Sequence, residues 1–230
     1  MNLEDKLNEV RQEYLNRMTR GNSALLRQVE AYITAHDGKM LRPRMTLSAA
    51  ATLGEAVLNK RRTLLLATAI EMLHNVSLVH DDVIDRADER RSRPSVNARW
   101  GNSVAVLVGD YLLASIMQLL DEVDDPQAAK LIIRTVMDMV EAELLAREVA
   151  EDPSRLTAET YLAIIDGKTA RLFATAAALG NPAYSDFGLH YGRLFQLRDD
   201  VADGEATPFT AALIEQEEAI LSQLEWLELQ

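Results

Sequence analysis

Cysteine is absent from the 230 residues, so neither a disulfide nor thiolate chemistry is available, and a reducing compartment is compatible with the chain. Proline and glycine are scarce, at 6 and 10, while Ala, Leu and Glu abound. That balance predicts helices with short connections, and no stretch reads convincingly as a strand. Basic residues are outnumbered 24 to 36, for a formal net charge of -12, which disfavours nucleic acid as the main partner. No apolar run is expected to reach the ~20 residues that a membrane span needs. The charged start, MNLEDKLNEVRQEYLNRMTR, does not read as a secretory signal. These absences predict a soluble, cytoplasmic protein whose residues 1–230 form a single all-helical domain.

What is present is helical periodicity. Leu3, Leu7, Val10, Tyr14 and Met18 make the apolar stripe of a first helix, more in the manner of a packing face than a site. A second helix over Ser23–Ala35 is stopped by His36-Asp37-Gly38. A third, roughly Arg42–Leu53, has Pro43 in its first turn. The central helix runs over Arg61–Asp85, followed by a polar loop over Arg86–Trp100. Further helices are expected over Gly101–Glu122, broken by Asp124-Asp125-Pro126, and over Gln127–Val149. Then come Thr157–Leu179 behind the capping pattern Thr157-Ala158-Glu159-Thr160, Asp186–Asp203, and Thr210–Glu228.

Chemistry concentrates at the end of the central helix. DDVID places Asp81 and Asp85 four residues apart on one helix face with Asp82 beside them, so the three acids repel unless a cation compensates. Oxygen donors without His or Cys suit magnesium, which keeps waters and is usually shared with substrate phosphates. Arg90 and Arg91 would then meet phosphate oxygens that the metal does not reach. Alone, DDVID is equally well a solvated acidic helix end before a basic loop. The second copy, Asp199, Asp200 and Asp203 in GRLFQLRDDVAD, repeats the spacing at the end of another apolar helical pattern, and two clusters so placed can face each other across a cavity. Lys39, Arg42 and Arg44 gather at a helix start, where cations oppose the dipole and favour an anion; a solvated basic turn accounts for them as well. His74 shares a stripe with Ser77, Leu78 and the acids, toward ligand binding or as a satisfied core histidine. Gly167 weakens its helix by ~1 kcal/mol against Ala, and its missing side chain would let Lys168 and Thr169 approach a ligand. No Walker phosphate loop is implied, because its glycine pattern and preceding strand are missing.

GKMLRP, HNVSLVHDDVIDRADERRSRPSVNARWGNSVAVLVGDYLL, DGKTARLF and GRLFQLRDD, in this order, resemble the trans-isoprenyl diphosphate synthase (trans-prenyltransferase) family over roughly Gly38–Asp203. The resemblance implies an all-α isoprenoid synthase-type bundle around a deep apolar cavity, usually a homodimer. It implies condensation of isopentenyl diphosphate with an allylic diphosphate, using about three magnesium ions. It would give Asp81, Asp82, Asp85, Asp199, Asp200 and Asp203 to metal, and Asp81, Asp82, Asp85, Asp199 and Asp200, with Lys168, to catalysis. Arg90, Lys168, Thr169 and Gln196 would bind the allylic diphosphate, and Lys39, Arg42, His74 and Arg91 the isopentenyl diphosphate. Small residues one turn below the acids, Val76 and Ser77, would let a growing tail pass toward a floor at Met72, Leu73 or Met117, for a linear all-trans product of at least twenty carbons. Ser92 and Ala142 stand where the family usually has Gly. The chain stops soon after Asp203 with no Lys, Arg or His beyond Arg198, so the family's C-terminal region is expected to be shortened. A non-catalytic regulatory subunit of a heteromeric synthase and a terpene cyclase are the alternatives, the second opposed by the isopentenyl-site residues.

Overall fold

A computed structural model describes residues 2–35, 38–227 and 229; His36, Asp37 and Glu228, named above as helix ends, lie outside the described residues. The chain divides into two compact units, each assembled from two segments: residues 1–43 with 59–125, and residues 44–58 with 126–230.

The first unit is built on α5, Arg61–Ile84, which packs against α1, Leu3–Arg17, and α7, Asn102–Val123. The predicted stripe on α1 is a packing face, with Leu7, Val10 and Tyr14 buried and Met18 following in the C-cap. α5 itself has Leu65, Leu66, Ile70 and Met72 fully buried, and its other neighbour α7 buries Leu112, Ile116 and Leu119. Asn2 starts α1 with a reciprocal capping box to Asp5. Asp124 ends α7 in the left-handed conformation, φ 52°, a backbone state that Asp tolerates better than most residues. α2, Ala24–Thr34, begins on the Ser23 cap. The loop after α5 is not irregular throughout. Glu89–Arg90 (β1) pairs antiparallel with Arg93–Pro94 (β2), and α6, Val96–Trp100, follows. The expected polar loop is thus a hairpin and a short helix, too brief for periodicity to reveal.

α3, Leu41–Ala51, leads into the second unit, with a single turn, α4, Glu55–Leu58, after it. The rest comprises α8, Pro126–Glu151, α9, Ala158–Ile165, α10, Arg171–Gly180, α11, Ser185–Asp203, and α12, Thr210–Leu221. Phe173 and Phe187 are its largest fully buried side chains. The Thr46 hydroxyl of α3 donates to the Ala176 carbonyl of α10 at 2.8 Å, and Thr135 of α8 bonds Thr175 of α10 at 2.6 Å. The last helix ends at Leu221 and not at Glu228, giving way to turns that bury Leu227.

The helix expected over Thr157–Leu179 is interrupted. Asp166–Ala170 is one π-helical turn between α9 and α10, a feature that inserts one residue into the helix and often marks a functional position. Gly167 is required by packing. A Cβ there would stand 2.6 Å from the Asp138 carbonyl oxygen and would also collide with Ala142, both on α8.

The expected lack of a membrane-length apolar helix does not hold by length and composition, since α5 and α7 both qualify. In α5, 72% of that stretch is buried, as in a core helix; in α7 only 39% is. Val106, Leu107, Tyr111 and Met117 of α7 are exposed, and Met117, at 59%, is no cavity floor. On α8, Ile133, Met137, Val140 and Leu144 form a second exposed apolar stripe at i, i+4, i+7 and i+11.

Gly167→Ala should destabilise the protein by about 1–3 kcal/mol through overpacking, because the opposing atom is backbone and cannot move aside. Urea denaturation followed by circular dichroism measures this, and an unchanged or raised midpoint would count against the packing role.

Candidate functional site

In the first unit the acids close α5. Asp81 is half-buried and Asp85 exposed, whereas Asp82 is only 3% exposed. Arg90 of β1 donates to Asp82 Oδ1 through both Nε, at 2.9 Å, and Nη2, at 2.6 Å. Arg91 and Ser92 form the two-residue turn with φ of 53° and 59°, the paired left-handed conformation of a tight hairpin, which Gly adopts at least cost. The hairpin is held from outside: the Tyr32 hydroxyl donates to the Pro94 carbonyl at 2.7 Å, and the Arg93 guanidinium lies 4.0 Å over the Tyr32 ring. Ser95 ties the chain back by donating to the Ala87 carbonyl at 2.6 Å. Tyr32, Asn75, Leu78, Asp82, Arg90 and Arg91 line a cleft there.

Further down α5, half-buried His74 has Arg42, Arg90 and Arg91 around it. One turn lower Glu71 is buried, with the charges of Arg42, Arg91 and Arg11 acting on it and the Asn75 amide donating to its backbone carbonyl at 2.8 Å. Burial raises the Glu71 pKa, and the three arginines and Asn75 pull it back. Gly38 sits beside the same group: a Cβ there would lie 3.5 Å from Glu71 Oε1 and 3.7 Å from Arg91 Nη2. The loop carrying exposed Lys39 therefore borders this cluster. Expected site residues Lys39, Arg42, His74, Arg90 and Arg91 are in one neighbourhood. Glu71, which gives that neighbourhood its counter-charge, was missed. Its signal was in the sequence: a lone acid three residues before His74 on an apolar helix face.

In the second unit Asp199 and Asp203 are exposed at the end of α11, and Asp200 is 8% exposed. Asp200 accepts hydrogen bonds from the Tyr161 hydroxyl of α9 and from Gln196 Nε2, the latter at 2.7 Å. Gln196 Oε1 in turn accepts from Thr169 Oγ1 at 2.6 Å. Burial, and then the bond to Asp200, push the Tyr161 hydroxyl up to about 12, so it stays protonated. Lys168 lies 3.5 Å from Glu143 Oε2. Arg193 grips Asp166 at the head of the π turn through Nε and Nη2, at 2.5 and 2.7 Å, and reaches Glu217 of α12 at 3.2 Å. Tyr161 was missed as well, and a single tyrosine on an apolar helix face offers no sequence signal.

Among the described residues no three His, Asp or Glu side chains converge as a ready metal cage. Asp82 and Asp200, expected among the metal ligands, are turned to protein donors. The donor chemistry nonetheless fits magnesium: Asp81, Asp85, Asp199 and Asp203 offer oxygen alone. Magnesium binds through one or two carboxylates, substrate phosphates and retained waters, and not through an all-protein cage.

Each unit therefore presents an ordered helix end rich in carboxylate, with one acid anchored inward and basic side chains on neighbouring elements. Together with the all-helical fold, this defines a protein of the isoprenoid synthase class. The sequence pattern of the polyprenyl synthetase family matches residues 23–212, and the chain belongs to that family. Among its relatives, an all-trans-nonaprenyl-diphosphate synthase (geranyl-diphosphate specific) of Rhodobacter capsulatus is 39% identical over 200 residues, covering 83% of this chain and 61% of that protein. Heptaprenyl diphosphate synthase component 2 of Bacillus subtilis is 31% identical over 217 residues, covering 89% and 60%. A solved polyprenyl synthase of Caulobacter crescentus, complexed with calcium and isoprenyl diphosphate, superposes with a TM-score of 0.82 at 30% identity, covering 96% of this chain and 78% of that one. The chain spans about six-tenths of the length of the curated relatives it matches.

His74 is held neutral. Its pKa lies well below the ordinary 6.5, first because burial strips water from the charged form, then because Arg42, Arg91 and Arg90 repel a further positive charge. As pH falls below about 6.5 the unfolded chain takes up a proton that the folded one refuses, so stability should fall with it. His74→Gln should flatten this slope in urea titrations between pH 7 and 5 (about one proton's worth), and an identical slope would remove the assignment.

Proposed function

We propose that the chain elongates isoprenoid chains, joining isopentenyl diphosphate head to tail to an allylic diphosphate to give a linear all-trans polyprenyl diphosphate of twenty carbons or more. The observation that carries the reading is the DDxxD pattern repeated at the ends of α5 and α11, with an inward anchor in each copy: Arg90 on Asp82, Tyr161 and Gln196 on Asp200.

By the resemblance, Asp81 and Asp85 in the first unit and Asp199 and Asp203 in the second would hold magnesium, about three ions in all. When bound, these ions neutralise charge on the leaving diphosphate. Arg90, kept in place by Asp82, and Lys168 contribute cations to the allylic diphosphate. Thr169 and Gln196, bonded to each other, set the floor of that contact. Lys39, Arg42 and Arg91 hold the isopentenyl diphosphate, and neutral His74 supplies a single N–H. Breaking the allylic carbon–oxygen bond leaves both electrons on the diphosphate, and preplaced positive groups stabilise that developing charge. The isopentenyl double bond then attacks the allylic carbon, and loss of one proton restores a double bond in the product.

For product length, α5 itself is informative. Val76 is 3% exposed and packed into the core, whereas Ser77 shares the half-buried stripe with His74, Leu78 and Asp81. Ser77, small, half-buried and one turn below Asp81, is therefore the residue on which this reading places the wall, with Val76 packed beside it. Incubation with labelled isopentenyl diphosphate, an allylic primer and magnesium, with chromatography of the dephosphorylated products, tests the whole reading. The expected product has at least twenty carbons, and Ser77→Phe should shorten it. Asp81→Asn and Asp199→Asn should each lose at least about a hundredfold in turnover at unchanged helicity. Near wild-type turnover in either, or a wild-type product of fifteen carbons, would sink the assignment.

The exposed stripes on α7 and α8 support a two-fold homodimer. Sedimentation should show twice 25.6 kDa; a monomer at micromolar concentration would remove this part of the proposal. One observation favours a second reading, a subunit that works only with a different partner chain: the Bacillus subtilis relative is named as component 2. A pure protein that binds magnesium diphosphate yet makes no product would favour it.

A further inference from the structure

Two lines of hydrogen-bond donors end on one carboxylate in the second unit. From one side Thr169 donates to Gln196 at 2.6 Å, and Gln196 donates to Asp200 Oδ1 at 2.7 Å. From the other side the Tyr161 hydroxyl donates to Asp200 Oδ2. An ionised carboxylate can only accept, and a phenol has one proton, so the Tyr161 proton is committed to Asp200. With that proton committed, Tyr161 can only accept from the hydroxyls on its other side: Thr210 Oγ1, 3.1 Å away in the first turn of α12, and Thr207, whose own hydroxyl lies 3.1 Å from Thr210 Oγ1. Thr210 Oγ1 for its part accepts from the Thr207 backbone N–H at 2.8 Å. The Thr169, Gln196 and Tyr161 donors therefore all lead toward Asp200, from two flanking segments.

The network sits in an apolar setting. Tyr161, Ile165, Leu197 and Leu213 form one buried cluster from α9, α11 and α12, with Phe209 packed against it. A hydroxyl embedded there is stiff, because moving it means moving packed side chains. Asp199 and Asp203 lie four apart on the same helix turn, and both are exposed. Fixing Asp200 fixes the rotation of that turn, and with it the direction of its two exposed carboxylates.

We propose that Tyr161 is a positioning residue for the second acidic motif: through Asp200 it orients the last turn of α11 so that Asp199 and Asp203 meet a metal-bound diphosphate, Asp200 itself serving as the anchor. Thr210 is the outer member of the same device, which links the start of α12 to the motif. The inference rests on the diphosphate reading given above and adds to it a residue outside both motifs.

Calorimetric titration of magnesium and inorganic diphosphate into the whole chain tests it without turnover. Tyr161→Phe keeps the ring and removes the donor. It should weaken binding about tenfold or more, the usual effect of removing a partner that orients a ligand side chain. The KM for isopentenyl diphosphate, whose side chains lie in the other unit, should stay unchanged. Thr210→Val should give a smaller loss in the same direction, and it carries the test should Tyr161→Phe fail to fold by circular dichroism. Adding Tyr161→Phe to Asp200→Asn should cost no more than Asp200→Asn alone. Wild-type-like binding in both Tyr161→Phe and Thr210→Val, or additive losses in the double variant, would overturn the positioning role alone. A wild-type chain that binds no magnesium diphosphate would overturn both this inference and the reading on which it rests.

Discussion

A carboxylate leaves water only where donors replace the water, and that requirement organises the working end of each unit. Asp82 accepts two N–H groups from Arg90, and Asp200 accepts from Tyr161 and Gln196. A buried acid lacking such partners would cost several kcal/mol or take up a proton. Once paired, it becomes a fixed point. The hairpin carrying Arg90 and Arg91 is pinned to α5 through Asp82, and α9 is pinned to α11 through Asp200. Triplets of acids that would otherwise merely repel are thereby divided into one anchored inward and two less buried.

A chain of net charge -12 nonetheless gathers cations locally. At physiological salt, charges beyond about 8 Å are largely screened, so the local charge matters more than the sum. In the first unit one neighbourhood holds Arg42, Arg91 and Arg90 around neutral His74, with Glu71 buried beneath. One buried glutamate against several arginines keeps the guanidinium groups together without cancelling them. Holding His74 neutral avoids one more repulsion within the cluster.

In the second unit close packing does the positioning. Gly188 and Gly192 of α11 let it approach α10 and the end of the π turn, where a Cβ would stand 2.9 Å from the Ala174 Cα and 2.6 Å from the Ala170 Cα respectively. Gly167 does the same for the π turn against α8. The extra residue of that turn shifts the register between α9 and α10, so Thr169 reaches Gln196. Arg193, bridging Asp166 and Glu217, locks the π turn to α11 and α12. Its own pKa is raised, chiefly by the bond to Asp166.

Composition and periodicity determined the helical class, most helix bounds and the two acidic motifs. These are local properties: scarce Pro and Gly, apolar residues every three or four positions, and carboxylates four apart on one face. The cationic set was legible for a similar reason, since GKMLRP and DERRSR are contiguous in the chain. Four features were decided only by tertiary structure. The hairpin over Glu89–Pro94 depends on Tyr32, which lies 62 residues before its partner Pro94, and the π turn depends on the surface of α8. The unequal roles of Asp81, Asp82 and Asp85 depend on which donors the fold brings near, and spacing alone treats the three alike. Tyr161 is the clearest case: it lies 39 residues from Asp200 in the chain, and it has no partner until α9, α11 and α12 pack around a shared apolar cluster. Side-chain hydrogen bonds between distant segments exist only after the chain has condensed, so no window of sequence contains them.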